Sequence, residues 1–201
     1  MLKNFINKYI LKPKIKIAGS GNTVSVSSSA YLRKVRFNVF GNNNSVVIDD
    51  NVYLHNTKIN IGFPDCPINN CKVYIGKCTS ANALYIQLGE SNSEVKIGDN
   101  TMISFNVEVS CTDTHAILDY EGNLLNAGKF IEIGSNVWIC KNTVILKNTK
   151  VPDGCIVAQN STVTKCFETQ NCVLAGNPAK VVKENIKWSN KRPENARKKE
   201  K

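Results

Sequence analysis

Residues 133–163 read IGSNVWICKNTVILKNTKVPDGCIVAQNSTV. Through this stretch Ile133, Ile139, Ile145, Val151, Val157 and Val163 recur every six residues without a slip. That period is too short for a repeat that contains a helix, and it does not match the roughly 3.6-residue turn of one. Short β-branched pieces separated by Gly, Asn, Asp and Ser read as strands joined by tight turns. Three such units close a triangular coil, and parallel coils stack about 4.8 Å apart. One aliphatic side chain per side then fills the interior.

The same pattern extends toward the N-terminus at a longer period. Val24-Ser-Val26, Val46-Val-Ile48, Val73-Tyr-Ile75 and Val95-Lys-Ile97 are spaced by 22, 27 and 22 residues, and the five extra residues fall near Phe63-Pro-Asp-Cys-Pro67. Leu32, Leu54, Ala81 and Ile103 keep the register, as do Phe37, Ile59 and Ile86, whose column is broken next by Glu108. Ser29, Asn51, Cys78, Asn100 and Asn136 fall three residues after an anchor, where corners are expected. Asn tolerates left-handed backbone and bonds locally, which suits a corner. The predicted fold is all-β, a parallel β-helix of triangular coils.

Composition narrows the function classes. The 201 residues are 42% hydrophobic and 21% charged, enough for a packed core. No apolar run is long enough to span a bilayer, and no signal peptide is evident near residue 1. The net charge of +10 sits on the ends: residues 1–17 carry +5, residues 183–201 carry +5, and the body is neutral. With no aromatic interleaving in those basic runs, nucleic acid is not an expected partner. Eight cysteines without a C-x-x-C pair, beside two histidines, do not make a zinc set and read as reduced, half-buried residues.

Ile133-Gly-Ser-Asn-Val-Trp138-Ile-Cys-Lys-Asn-Thr-Val-Ile and Val173-Leu-Ala-Gly-Asn-Pro-Ala-Lys180 resemble the hexapeptide-repeat acyltransferases, in particular the polysaccharide and sugar O-acetyltransferase branch. In that branch a Ser/Thr-Asp-x-His segment, a short loop and a Trp-Ile-Gly coil follow one another. Here these are Thr112-Asp-Thr-His115, residues 116–130 and Trp138-Ile-Cys140. The resemblance is strong over about 97–182 and covers only the coil pattern over 18–96. It implies a left-handed β-helix, acetyl-CoA as acyl donor, a carbohydrate acceptor, no required metal and a homotrimer with sites between subunits.

The repeat lapses between Cys111 and Phe130, so a loop is expected to leave the prism there, carrying Asp113, His115, Asp119, Tyr120 and Glu121. Transfer of an acyl group to a hydroxyl needs a base with pKa near neutrality, and histidine suits that task. The resemblance gives His115 this role. Asp113, two residues away on an extended chain, would share its face and orient it. His55, in a regular coil, is read as structural or surface, and two histidines are too few for the carbonic anhydrases of this fold.

The resemblance further implies Trp138, Ala158, Ser161, Lys165, Gly176, Asn177 and Lys180 as donor-binding residues, the lysines for the phosphates. Acceptor contacts are expected at Asn106, Asp119 and Tyr120. Cys140, Gln159 and Asn160 depart from the family's smaller residues, and Cys140 is also a conceivable nucleophile.

The expected organisation is a basic amphipathic cap over 1–17, the β-helix over 18–180, and a short helix with a basic mobile tail over 181–201. Leu2, Phe5, Ile6, Tyr9 and Ile10 follow helical spacing, so short helices are expected at both ends. The cap closes an otherwise open solenoid; its alternative is contact with an anionic membrane through the basic ends. The expectation is a cytoplasmic protein, free or peripheral at the inner face of the membrane. The reading that follows is an acetyl-CoA-dependent O-acetyltransferase acting on a bacterial surface polysaccharide or its precursor. Two alternatives stay open: an amino-sugar N-acetyltransferase, and a non-catalytic glycan-binding β-helix.

Overall fold

The computed structural model describes residues 12–196. The strands are numbered in chain order, and through β19 every third one falls on the same face of a triangular prism. Face one holds β1 (Lys14–Ala18), β4 (Arg36–Phe40), β7 (Lys58–Ile61), β10 (Leu84–Leu88), β13 (Val107–Cys111), β16 (Val144–Leu146) and β19 (Thr162–Val163). Face two holds β2 (Thr23–Val26), β5 (Ser45–Ile48), β8 (Lys72–Ile75), β11 (Glu94–Ile97), β14 (Phe130–Ile133) and β17 (Thr149–Val151). Face three holds β3 (Tyr31–Arg33), β6 (Tyr53–His55), β9 (Ser80–Asn82), β12 (Met102–Ile103), β15 (Trp138–Ile139), β18 (Ile156–Val157), β20 (Val173–Gly176) and β21 (Ala179–Lys183). All pairings are parallel except β20 with β21. The architecture is all-β and consistent with a left-handed β-helix.

The six-residue ladder occupies the interior: Ile133, Ile139, Ile145, Val151, Val157 and Val163 are all buried. Val24, Val46, Val73 and Val95 are register partners, as are Leu32, Leu54, Ala81 and Ile103. In the third column the partner of Ile86 is Val109, not Glu108. Ile103 to Val109 is six positions where Ala81 to Ile86 is five, so the column stays apolar and Glu108 faces out.

The corners explain the Asn content. Asn51, Asn56, Asn100, Asn106, Asn136, Asn142, Asn148 and Asn160 all have φ between 51° and 58°, and Cys78 has 56°. Corner amides also bond along the axis, Asn142 Nδ2 donating to Asn160 Oδ1 at 3.1 Å.

The prism changes width. Face-one partners Phe37 and Ile59 lie 22 residues apart, whereas Ile145 and Val163 lie 18 apart. The wide coils send two residues inward from face one: Phe37 with Val39, Ile59 with Ile61, Ile86 with Leu88, Val109 with Cys111. The narrow coils send only one, Ile145 or Val163. The chain leaves the prism immediately after the last wide strand, so the extruded loop stands on the ledge where the cross-section narrows.

The expected short terminal helices are corrected by the structure. The N-terminal stretch Leu2–Ile10 lies outside the described residues. Residues 14–18 are already the first strand. At the other end Val181 and Val182 belong to β21, which turns back antiparallel on β20. Leu174 and Ala179 are buried there, and the exposed edge of β20 gains partners for its backbone groups. β-branched neighbours favour this over a helix. Pro193–Ala196 forms a single helical turn. Among the described residues no helix is long and apolar enough to cross a membrane.

Candidate active site

β13 ends at Cys111 and the chain returns to the prism at Phe130. The exit and the return pass close to each other: a Cβ on Gly128 would lie 2.5 Å from the Cys111 carbonyl oxygen, so a larger residue would push them apart. The return is held from below by Glu90, both of whose carboxylate oxygens accept from the Gly128 amide at 2.8 Å. It is held from above by Asn148, which accepts from the Lys129 amide at 2.9 Å and donates to the Ala127 carbonyl at 2.8 Å.

The exit is fixed by a second set. Thr114 adopts φ 67°, unusual for a β-branched residue, and its amide donates to Thr112 Oγ1 at 3.0 Å. This kink removes the extended geometry that would place Asp113 and His115 on one face. Asp113 accordingly pairs with Lys147 and accepts from Asn126 Nδ2 at 2.8 Å, rather than from the His115 ring. Lys147 first, then Asn126, holds its carboxyl below the usual carboxylate range. Asn126 also donates to the His115 carbonyl at 2.9 Å and accepts from the Ile117 amide at 2.8 Å. One amide side chain therefore ties together Asp113, His115 and Ile117.

His115 is exposed and lines a cleft of about 190 Å³ with Gly89, Glu90, Thr112, Thr114 and Leu124. Its ring carries no hydrogen bond among the described residues. The loop tip is a small hairpin closed by a Leu118–Leu124 bridge. Asp119 accepts from the Asn123 amide at 2.7 Å and side chain at 2.9 Å, which lowers its pKa, and Tyr120 is fully exposed at the tip.

The residues expected to hold the donor fall elsewhere. Trp138 is on face three, and Ala158 follows β18 toward the corner between faces three and one. Ser161 is buried, its Oγ accepting from the Gly176 amide at 3.1 Å. Gly176, with φ 107°, and Asn177 form the turn from β20, and Lys180 points outward from β21. These residues share the upper end of face three and its edge. Lys165 follows β19, its Nζ lying 5.3 Å from the Phe167 ring centre. Asn106 sits at the corner before β13, donating to Asn142 at 3.5 Å; the whole five-residue strand separates it from the loop. Cys140 is half-buried, and burial raises its thiol pKa, which works against a thiolate nucleophile.

Trp138 Nε1 is buried without a hydrogen-bond partner, and Trp188 packs on the ring at 6.1 Å. Residues 185–190 run back along the corner of Asn100, Asn136 and Asn171, with the Ile186 amide donating to the Asn171 carbonyl at 2.9 Å. Trp188 Nε1 donates to the Asn136 carbonyl at 2.5 Å. Sequence reasoning missed Glu90, Asn126, Lys147 and Trp188. Only Lys147 carried a signal, since it follows Leu146, the register partner of Ser110 beside the loop exit. Among the described residues no group of three His, Cys, Asp or Glu side chains could hold a metal.

Comparison with known proteins places this geometry. Residues 130–165 match the family model for bacterial transferase hexapeptide (six repeats). A polysialic acid O-acetyltransferase of Escherichia coli O1:K1 / APEC is 32% identical over 119 residues, 59% of this chain and 38% of that protein. The chain thus spans well under half the length of this relative. Two crystal structures superpose over nearly the whole chain. The polysialic-acid-specific acetyltransferase NeuO has a TM-score of 0.70 at 29% identity, covering 90% of each chain. The polysialic acid O-acetyltransferase OatWY has a TM-score of 0.63 at 28% identity, covering 89% of this chain and 92% of that one.

Proposed function

We propose that this chain, a hexapeptide-repeat acyltransferase related to the polysialic-acid O-acetyltransferases, transfers acetyl from acetyl-CoA to a sugar hydroxyl of a polysaccharide. The observation that carries the reading is the 18-residue loop, Thr112–Lys129, locked at both roots, which presents an unencumbered His115 at the mouth of a cleft. His115 takes the hydroxyl proton as the oxygen attacks the thioester carbonyl, and returns it to the departing thiol, so no net proton is consumed. Asp113 acts by holding the loop root rather than by pairing with the ring.

Acetyl-CoA supplies the activated acetyl group. Trp138, Ala158, Ser161, Gly176, Asn177, Lys165 and Lys180 are the residues to hold it. The unpartnered Trp138 Nε1 fits a surface built to receive a polar ligand, and Ala158 and Gly176 leave backbone accessible beside it. His115 leaves at the corner between faces one and two, whereas this surface lies on face three. Two neighbouring copies would bring the base of one to the donor surface of the other, and a homotrimer satisfies that three times. Acetyl-CoA is a cytoplasmic metabolite, so the reading places the protein in the cytoplasm.

The test is thiol release from acetyl-CoA, with and without hydroxyl and amino sugars and their polymers, for the wild type and His115→Ala. Release that depends on a hydroxyl acceptor and is lost in the variant supports the reading. Release that survives the substitution rejects His115 as the base. Preference for amino sugars moves the assignment to N-acetylation.

A further inference from the structure

At the N-terminal end of face one, Lys12, Lys14, Lys34, Arg36 and Lys58 line a concave cleft of about 500 Å³ to which no carboxylate contributes. Lys14, Arg36 and Lys58 are register partners on β1, β4 and β7. Their side chains therefore leave neighbouring strands, about 4.8 Å apart, in a row along the prism axis, with Lys58 Nζ 5.4 Å from the Tyr85 ring centre on β10. Like charges this close repel, and none of the three is ion-paired among the described residues, where the one salt bridge is Lys147 with Asp113. Lys34 adds a second observation. It takes a left-handed corner, φ 56°, that Asn56, Asn106, Asn142 and Asn160 fill in other coils of the same column and Ala83 in one more. A lysine at this corner puts a charge at the rim of the cleft.

A row of cations with no acid among its lining suits a chain that carries carboxylates at regular intervals. The row is linear and the cleft concave, which matches an extended chain with regular negative charge better than the flat face of a bilayer. Residues 1–11 carry lysines and no acid, so charge does not favour them as the occupant.

We infer that this cleft is an accessory subsite for an anionic stretch of the acceptor polysaccharide, remote from the hydroxyl that reacts. The inference rests on the function proposed above and deepens it by naming a polyanionic acceptor. The His115 loop leaves the far end of β13, two coils above β7. Two coil rises and the width of a five-residue strand put the cleft roughly 20 Å from the loop. Only long acceptors reach both.

The experiment measures binding of a sialic-acid homopolymer, polygalacturonate and phosphatidylglycerol vesicles. Three full-length proteins are compared: wild type, Lys14→Gln/Arg36→Gln/Lys58→Gln, and a control with equal charge loss on and beside face two, Lys72→Gln/Lys77→Gln/Lys96→Gln. Melting curves verify that all are folded. The wild type is expected to bind at least one polymer, losing affinity steeply as salt rises from about 0.05 M to about 0.5 M. The cleft variant should bind at least about tenfold more weakly and the control within about twofold. Equal weakening in both variants, binding of neither polymer, or binding of vesicles alone overturns the inference. His115→Ala should bind polymer like the wild type. Cleft-dependent binding without acetyl transfer in the wild type leaves the subsite standing and removes the acetyltransferase reading instead.

Discussion

Replacing Asn126 with Ala removes three hydrogen bonds at once, to Asp113 Oδ2, the His115 carbonyl and the Ile117 amide, at 2.8–2.9 Å. A protein hydrogen bond contributes about 1 kcal/mol net, and less where water can replace it. The Asn126 bonds lie at an exposed loop root, so about 1–2 kcal/mol of positioning is at stake. Spread over rate at about 1.4 kcal/mol per factor of ten, that predicts a fall in turnover of roughly 5–30-fold. The apolar core is untouched, so the melting temperature should fall by no more than about 8 °C, at about 2–4 °C per kcal/mol. Asn126→Asp should be worse than Ala, because it sets a second carboxylate against Asp113. The assay is steady-state acetyl transfer with donor and acceptor varied separately, beside a thermal melt. The Michaelis constant for acetyl-CoA should not change, since the surface proposed to hold the donor lies on face three. Turnover within twofold of the wild type, with the melt unchanged, would refute the claim that this amide sets the position of His115.

Other outcomes follow from the same geometry. Ile145→Ala, in a fully buried position, should destabilise by about 2–5 kcal/mol by thermal or denaturant unfolding. At the left-handed corner Asn136, φ 54°, Ala should cost about 1 kcal/mol, whereas Gly should be close to neutral in the same measurement. Exposed Cys66, Cys78 and Cys166 should react with a thiol reagent in the native protein, while buried Cys71, Cys111, Cys155 and Cys172 react only on unfolding. Burial pushes the Cys111 and Cys172 thiols up to about 12, in keeping with that order. Asp113 is depressed by Lys147 and Asn126, so its contribution to loop order is present above the ordinary carboxylate pKa and lost as pH falls through the lowered value. Proton exchange or fluorescence at the loop should show this loosening on acidification, and Lys147→Met should move its onset to higher pH.

How far the site could be read in advance depended on the range of the contacts. The extruded loop that carries His115 was legible because the repeat lapses there. The supposed partnership of His115 with Asp113 was not, because Thr114 turns left-handed and breaks the strand geometry on which the i, i+2 rule depends. Glu90 and Lys147 lie 38 residues from Gly128 and 34 from Asp113 along the chain, and only coil stacking brings them together. The closing helix failed for a related reason: an exposed edge on β20 gave Val181 and Val182 partners that a local pattern does not contain.

The sequence alone determined the all-β prism, the interior columns and most corners. Each is a local property: one aliphatic per turn of chain must leave water, and each corner needs a residue that accepts positive φ. The tertiary structure decided the rest. It placed the change from wide to narrow coils at the loop, divided His115 and Trp138 between different sides of the prism, and lined up Lys14, Arg36 and Lys58 in one cleft. Those relations depend on which residues share a face after a full coil, and a coil of 22 or 18 residues, or one stretched by an insertion, sets that only once the strands have paired.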